Sequence, residues 1–244
     1  MLGVDVRGSS QPSRDDSVLP ALRRAQTTAI ADALSQQGVD SDCYVLRSRG
    51  DGGRYDFLPH ISPVPVVEAL IGPLPPLLRR HNKQSSEAMR LGLRLVVHGG
   101  YLVPTPDGGD ADGGDVNLLH GMLDADELRQ ALAESGLSSV VAVSEEIWNG
   151  VVRHGHGDLD PDLFGETRLT VKGGKQVAAW LTPAPRGPRA PGTAEEPERS
   201  SRRAEKDTTP GAGEHRGGGG ITFHDVVKAE NVVNGPQINF RNTP

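Results

Sequence analysis

Residues 47–57 read RSRGDGGRYDF, and two extended segments meet in them. DCYVLRSR (42–49) leads in and GRYDFLP (53–59) leads out. The Asp51-Gly52 pair between them is the strongest short hairpin signal in the chain, because both residue types accept the backbone angles of a tight turn. The turn either only reverses the chain or also presents the Asp51 carboxylate for binding. The order of elements around it decides the fold.

LGVDV (2–6) precedes it as a short strand, followed by the loop RGSSQPSRDD. SVLPALRRAQTTAIADALSQQG then places Leu19, Leu22, Ala29, Ile30, Ala33 and Leu34 at helical spacing, with Ser17 as the expected cap and Gly38 as the stop. After the hairpin, PVVEALIGPLPPLLRRHN (65–82) predicts a helix kinked or split by Pro73, Pro75 and Pro76. MRLGLRLVVHGGYLV (89–103) predicts a long strand with a bend at Gly99-Gly100. The acidic, glycine-rich loop PTPDGGDADGGD follows. Apolar periodicity resumes in VNLLHGML, and DADELRQALAES predicts a helix capped by Asp124. SSVVAVS is a strand, EEIWNGVVRHG a short helix, and ETRLTVKGGKQVAAWL a last hairpin around Gly173-Gly174. The order β-α-β-β-α-β, then α-β-α-β-β, implies an α+β fold. Its ferredoxin-like core would carry helices on one face of a mainly antiparallel sheet.

The chain has 244 residues, 35% hydrophobic and only 4% aromatic, so the core rests on Leu, Val and Ala. Gly (31) and Pro (19) are high together and their excess collects after residue 183, which divides the chain into a folded domain at 1–183, a disordered linker at 184–220 and a tail at 221–244. The tail, ITFHDVVKAENVVNGPQINF, has the pattern of a short hairpin around Asn234-Gly235. A lone hairpin is marginal in water, so the tail is expected to pair with another copy or with a protein partner. A net charge of −6 argues against a general nucleic-acid binder. The single cysteine, Cys43, excludes an internal disulfide and fits a reducing compartment. No apolar run is long enough for a signal peptide or a membrane span, so the expectation is a cytoplasmic protein.

Five stretches together carry a resemblance. DVRGSS (5–10), RGDGG (49–53), LRLVVHGG (93–100), GGDVNLL (113–119) and VKGG (171–174) occur in this order. Through them, residues 1–183 resemble the catalytic domain of class III nucleotidyl (adenylate and guanylate) cyclases, and most of all the divergent cyclase-like domains of actinobacteria. The resemblance implies conversion of a nucleoside triphosphate to a cyclic 3′,5′-nucleotide and pyrophosphate. Asp5 and Asp51 would bind two Mg²⁺ or Mn²⁺ ions, which help deprotonate the ribose hydroxyl and neutralise the leaving pyrophosphate. Asn117 would orient the ribose and Lys172 would meet the terminal phosphate. Arg47 stands where the family selects the base. Adenylate cyclases tend to carry Lys there and guanylate cyclases Glu, so the base stays open. Asp110, seven residues before Asn117, stands where adenine-selective members carry Asp. Each residue also has a plainer account: an Asp-Gly turn for Asp51, a strand-end carboxylate for Asp5, a helix cap for Asn117, a solvated side chain for Lys172 and a flexible acidic loop for Asp110.

One departure is clear. The family's catalytic helix carries an arginine four residues after the asparagine, and Gly121 stands there. Losing a charge-assisted contact to the transition state lowers the rate by about 10²–10³. Ser9 replaces the usual phenylalanine. Family sites form between two subunits, so a homodimer would lack the arginine twice, whereas a heterodimer with a related domain could restore it. A catalytically weak or inactive pseudo-cyclase, acting as a nucleotide-binding or dimerising regulatory module, is the alternative expectation. His154 and His156 lack further ligands for zinc and are read as a solvated loop.

Overall fold

The computed structural model describes residues 1–8, 14, 18–49, 52–103 and 113–183. The chain divides into two units, Met1–Pro191 and Gly192–Pro244. The second lies wholly outside the described residues, and so do the expected linker and tail.

Seven strands form one sheet in the order β2-β3-β1-β4-β5-β7-β6. The first four to be made are β1 (Leu2–Val6), β2 (Tyr44–Arg49), β3 (Gly52–Phe57) and β4 (Leu93–Val97). Their order, β2-β3-β1-β4, with every neighbouring pair antiparallel, is that of the expected ferredoxin-like core. β5 (Ser139–Ser144) joins β4 in parallel, and the hairpin of β6 (Gly165–Val171) and β7 (Lys175–Thr182) closes the sheet antiparallel to β5. Ladder pairing on the first hairpin ends at Arg49↔Gly52, which leaves residues 50 and 51 between the strands. Those two lie outside the described residues, and Gly52 is already a strand residue.

Helices cover both faces, which corrects the expectation of one. α1 (Leu19–Ser35), α2 (Pro63–Ile71) and α3 (Leu74–Gln84) bury Leu22, Ile30, Leu34, Leu70, Leu74 and Leu78 with Leu2, Val4, Leu93, Leu95, Val97, Val141 and Val143. α4 (Gly114–Leu123) and α5 (Asp126–Ser135) bury Leu119, Met122, Leu123, Leu128 and Leu132 with Val96, Val140, Ala142 and Leu169. Alternate residues of β4 and β5 therefore feed opposite cores, as a pleated strand buried on both sides requires. A short α6 (Glu145–Gly150) follows β5 directly.

Other boundaries differ for local reasons. The prolines split the second helical run at Gly72-Pro73, and Ser62 caps α2 by accepting the Val64 N–H at 3.2 Å. The expected fifteen-residue strand is only Leu93–Val97, because the chain leaves the sheet at Gly99-Gly100 towards α4. Asp124 caps nothing. It closes α4 with its own N–H on the His120 carbonyl, and α5 begins after Ala125. The Ser17 cap lies outside the described residues, and Val18 at that end makes no side-chain cap bond.

Glycine matters most where β3 meets β1. A Cβ on Gly52 would lie 2.2 Å from the Val4 carbonyl oxygen and 3.3 Å from the Asp5 Cα. Backbone cannot yield as a side chain does, so Gly52→Ala is expected to destabilise the domain by about 1–3 kcal/mol. Gly114, with nothing within 4 Å of its Cβ position, should accept Ala with no loss of stability. Denaturant midpoints of the two variants check the contrast.

Candidate active site

The side chain of Asp5 leaves β1 on the face away from Val4 and Val6, which are buried in the α1–α3 core. On one edge of β1, Val4 pairs with Gly53, so the β2–β3 turn ends beside Asp5. On the other edge, Asp5 pairs directly with Arg94 of β4. The Arg94 guanidinium donates to Asp5 Oδ2 as an ion pair, with side chains only 12% and 22% exposed. Burial pulls the Arg94 guanidinium below its ordinary value, and the nearby Arg129 adds to that, while Asp124 opposes it. Arg94 Nε has no hydrogen-bond partner among the described residues.

α4 passes over this face. Leu119 and Leu123 pack so closely on β1 that a Cβ at Gly3 would stand 2.6 Å from Leu123 Cδ1. The opposite stripe of the helix carries Asn117, His120, Gly121 and Asp124, spaced three to four residues apart as one helix face requires. These four line a cavity of about 760 Å³ together with Asp5 and Lys172. Lys172 reaches it from the β6–β7 turn, where Gly173 and Gly174 hold φ of 85° and 77°. Gly121 is packed as well as small. A Cβ there would sit 3.1 Å from Val171 Cβ.

Of the residues singled out from sequence, the structure brings Asp5, Asn117 and Lys172 to one cavity. Arg47 does not line it. It stands on β2 opposite Arg54, with Nε buried and unpartnered among the described residues. Arg54 is itself held by Asp56 in a buried two-pronged pair at 2.7 and 2.9 Å. Asp51 and Asp110 lie outside the described residues. Sequence reasoning missed Arg94, His120 and Asp124. Helical spacing from Asn117 was a sufficient signal for His120 and Asp124. Nothing local marks Arg94, whose role comes from the β1–β4 register.

Two acidic neighbours frame His98, at the end of β4. It is 1% exposed, with Nε2 3.8 Å from Asp115 and Nδ1 3.6 Å from Glu146. Neither ring nitrogen has a hydrogen-bond partner among the described residues. Asp115 instead accepts from the Tyr101 N–H at 2.7 Å, which ties the start of α4 to the end of β4. Among the described residues, no group of three or more His, Cys, Asp or Glu could hold a metal ion, and no helix is long and apolar enough to cross a membrane.

No protein-family model matches the chain, and no curated protein matches it in sequence. Solved structures do. An adenylate/guanylate cyclase/hydrolase from Silicibacter pomeroyi is similar over 76% of this chain and 95% of its own, with 18% identity and a TM-score of 0.50. The guanylate cyclase domain of RhGC from Catenaria anguillulae, solved in complex with GTP, is similar over 74% and 93%, with 13% identity and a TM-score of 0.44. The catalytic core of a rhodopsin-guanylyl cyclase with converted specificity, solved with ATPαS, is similar over 74% and 92%, with 13% identity and a TM-score of 0.43. At 18% identity, the first of them shows the α+β fold.

Desolvation holds the His98 imidazole below its ordinary value of 6.5, against the pull of Glu146 and Asp115. As pH falls through 6.5, the unfolded chain takes up a proton that the folded chain refuses. Stability from this group is therefore lost on the acid side and regained as pH rises. His98→Gln should flatten the fall in stability between neutral and mildly acidic pH, measured by denaturant unfolding at each pH.

Proposed function

We propose that the chain is a class III nucleotidyl cyclase-type domain that converts a nucleoside triphosphate to a cyclic 3′,5′-nucleotide and pyrophosphate. One observation carries the reading: Asp5, Asn117 and Lys172, the residues the resemblance assigns to metal, ribose and phosphate, line one cavity, from which a dimer would draw the metal ligand of one copy and the ribose and phosphate ligands of the other. The fold shared with the Silicibacter pomeroyi protein supports it. The finer placement among divergent actinobacterial domains belongs to the same proposal.

The residues fit a divalent ion in their chemistry. Asp5 is a carboxylate at the cavity wall, and Gly52 leaves the space that brings the hairpin turn to it. Asp5 and Asp51 would hold Mg²⁺ or Mn²⁺, which when bound favours loss of the 3′-hydroxyl proton and offsets the charge of pyrophosphate. In the reaction the 3′-oxygen bonds to the α-phosphorus, the bond from that phosphorus to the bridging oxygen breaks, and the hydroxyl proton leaves to solvent. Asn117 orients the ribose, and its helix is held in place by Leu119 and Leu123 on β1. Lys172 offers an ammonium to the terminal phosphate. The resemblance gives base contact to Arg47 and Asp110; Arg47 stands outside this cavity, so base contact is proposed for Asp110, and a homodimer or a heterodimer with a related cyclase domain is proposed as the working assembly. The tail at 221–244 is proposed to dock a protein partner.

The second reading, a pseudo-cyclase that binds nucleotide without turnover, is favoured by the contact at Gly121. An arginine there would need Val171 to give way.

Pure protein incubated with Mn²⁺ and each of ATP, GTP, CTP and UTP, read by mass spectrometry, tests both. A cyclic product is expected, lost in Asp51→Ala and lowered by about 10²–10³ in Asn117→Ala. Metal–nucleotide binding without product supports the second reading. Neither binding nor product overturns both.

A further inference from the structure

The Asp5 carboxylate already holds a cation, the Arg94 guanidinium. The two residues are direct partners in the β1–β4 ladder, so the pair is set by strand register rather than by a chance surface encounter. Both side chains are largely buried, at 12% and 22% exposed, so solvent screens the pair less than an ion pair on the surface.

Resting on the cyclase reading above, we propose that Arg94 is a built-in competitor for the divalent cation at Asp5. The carboxylate exchanges guanidinium for metal when a triphosphate brings the metal in.

The chemistry of the ion supports this. Mg²⁺ and similar ions are commonly held by one or two carboxylates plus substrate phosphates. A free ion at Asp5 would have to displace Arg94 with few protein oxygens in return. A metal–triphosphate complex carries its own oxygens. The displaced guanidinium also needs an acceptor, since a buried, unpaired charge is strongly disfavoured. Asp124, which lines the same cavity and lies 3.5 Å from Arg129, offers a carboxylate there.

Binding of Mn²⁺ alone, followed through loss of the free-ion paramagnetic resonance signal, tests the proposal on the full chain. Arg94→Gln is expected to bind Mn²⁺ about tenfold more tightly than the wild type, the gain expected when an opposing ion pair of ordinary strength is removed. Arg94→Lys, which keeps a cation, should stay near the wild type. Equal or weaker Mn²⁺ binding by a folded Arg94→Gln overturns the proposal. If that variant fails to fold, the wild type decides alone. Its Arg94 Nε signal in nitrogen-15 NMR should shift with Mg²⁺ plus a non-cyclisable triphosphate and stay in place with Mg²⁺ alone. An unchanged signal with the nucleotide bound overturns the competition. Cyclic product from the wild type with no effect of Arg94→Gln on Mn²⁺ binding sinks only this inference. A wild type that neither binds metal–nucleotide nor makes product sinks the cyclase reading and this one with it.

Discussion

At Gly52 the hairpin comes against β1 so closely that only a hydrogen fits between its Cα and the Val4 carbonyl. That approach lets β3 run along one edge of β1, while β4 runs along the other. With both edges paired, β1 becomes a central strand of the sheet, and its two faces must both be buried. Leu2, Val4 and Val6 meet one set of helices. Gly3 and Asp5 meet α4 or the cavity beside it. The position of the carboxylate follows from that alternation, and β3 begins at Gly52 beside it.

α4 depends on small residues in the same way. Its apolar stripe needs Gly3 beneath Leu119 and Leu123. Its polar stripe needs Gly121 beside Val171 to let the helix lie against β6. The residue that departs from the cyclase pattern is thus also a packing residue. The start of the helix is held by the Asp115 bond to the Tyr101 N–H, and the His98 ring sits behind it with neither nitrogen hydrogen-bonded among the described residues. Burial holds the His98 imidazole below its ordinary value, so this corner loses stability as the pH falls.

Much of the fold was legible because its signals are local. The Asp-Gly pair marked the hairpin, Pro73 marked the helix break, and LGVDV marked the first strand. The run MRLGLRLVVHGGYLV misled because apolar residues continue past the point where the chain leaves the sheet. Gly99 and Gly100 are where it leaves: a Cβ at Gly100 would lie 2.6 Å from Asp115. Helices were expected on one face because the ferredoxin-like order carries them so, whereas both faces of β4 and β5 are apolar and need cover. At the candidate site, Asp5, Asn117 and Lys172 were named from the order of motifs. Their grouping could not be read from residues 55 and more apart, because only the tertiary structure brings them to one cavity.

The sequence by itself determined the element types, the hairpin, the helix break and the residue kinds offered for binding, because turn chemistry and periodicity act over a few residues. Tertiary structure alone decided that Asp5 faces Arg94, that α4 presents Asn117 and His120 to the same space as Lys172, and that Gly121 packs on Val171. Those outcomes follow from strand order and register. A shift of one residue in β4 would turn Arg94 to the opposite face and leave Asp5 without its partner.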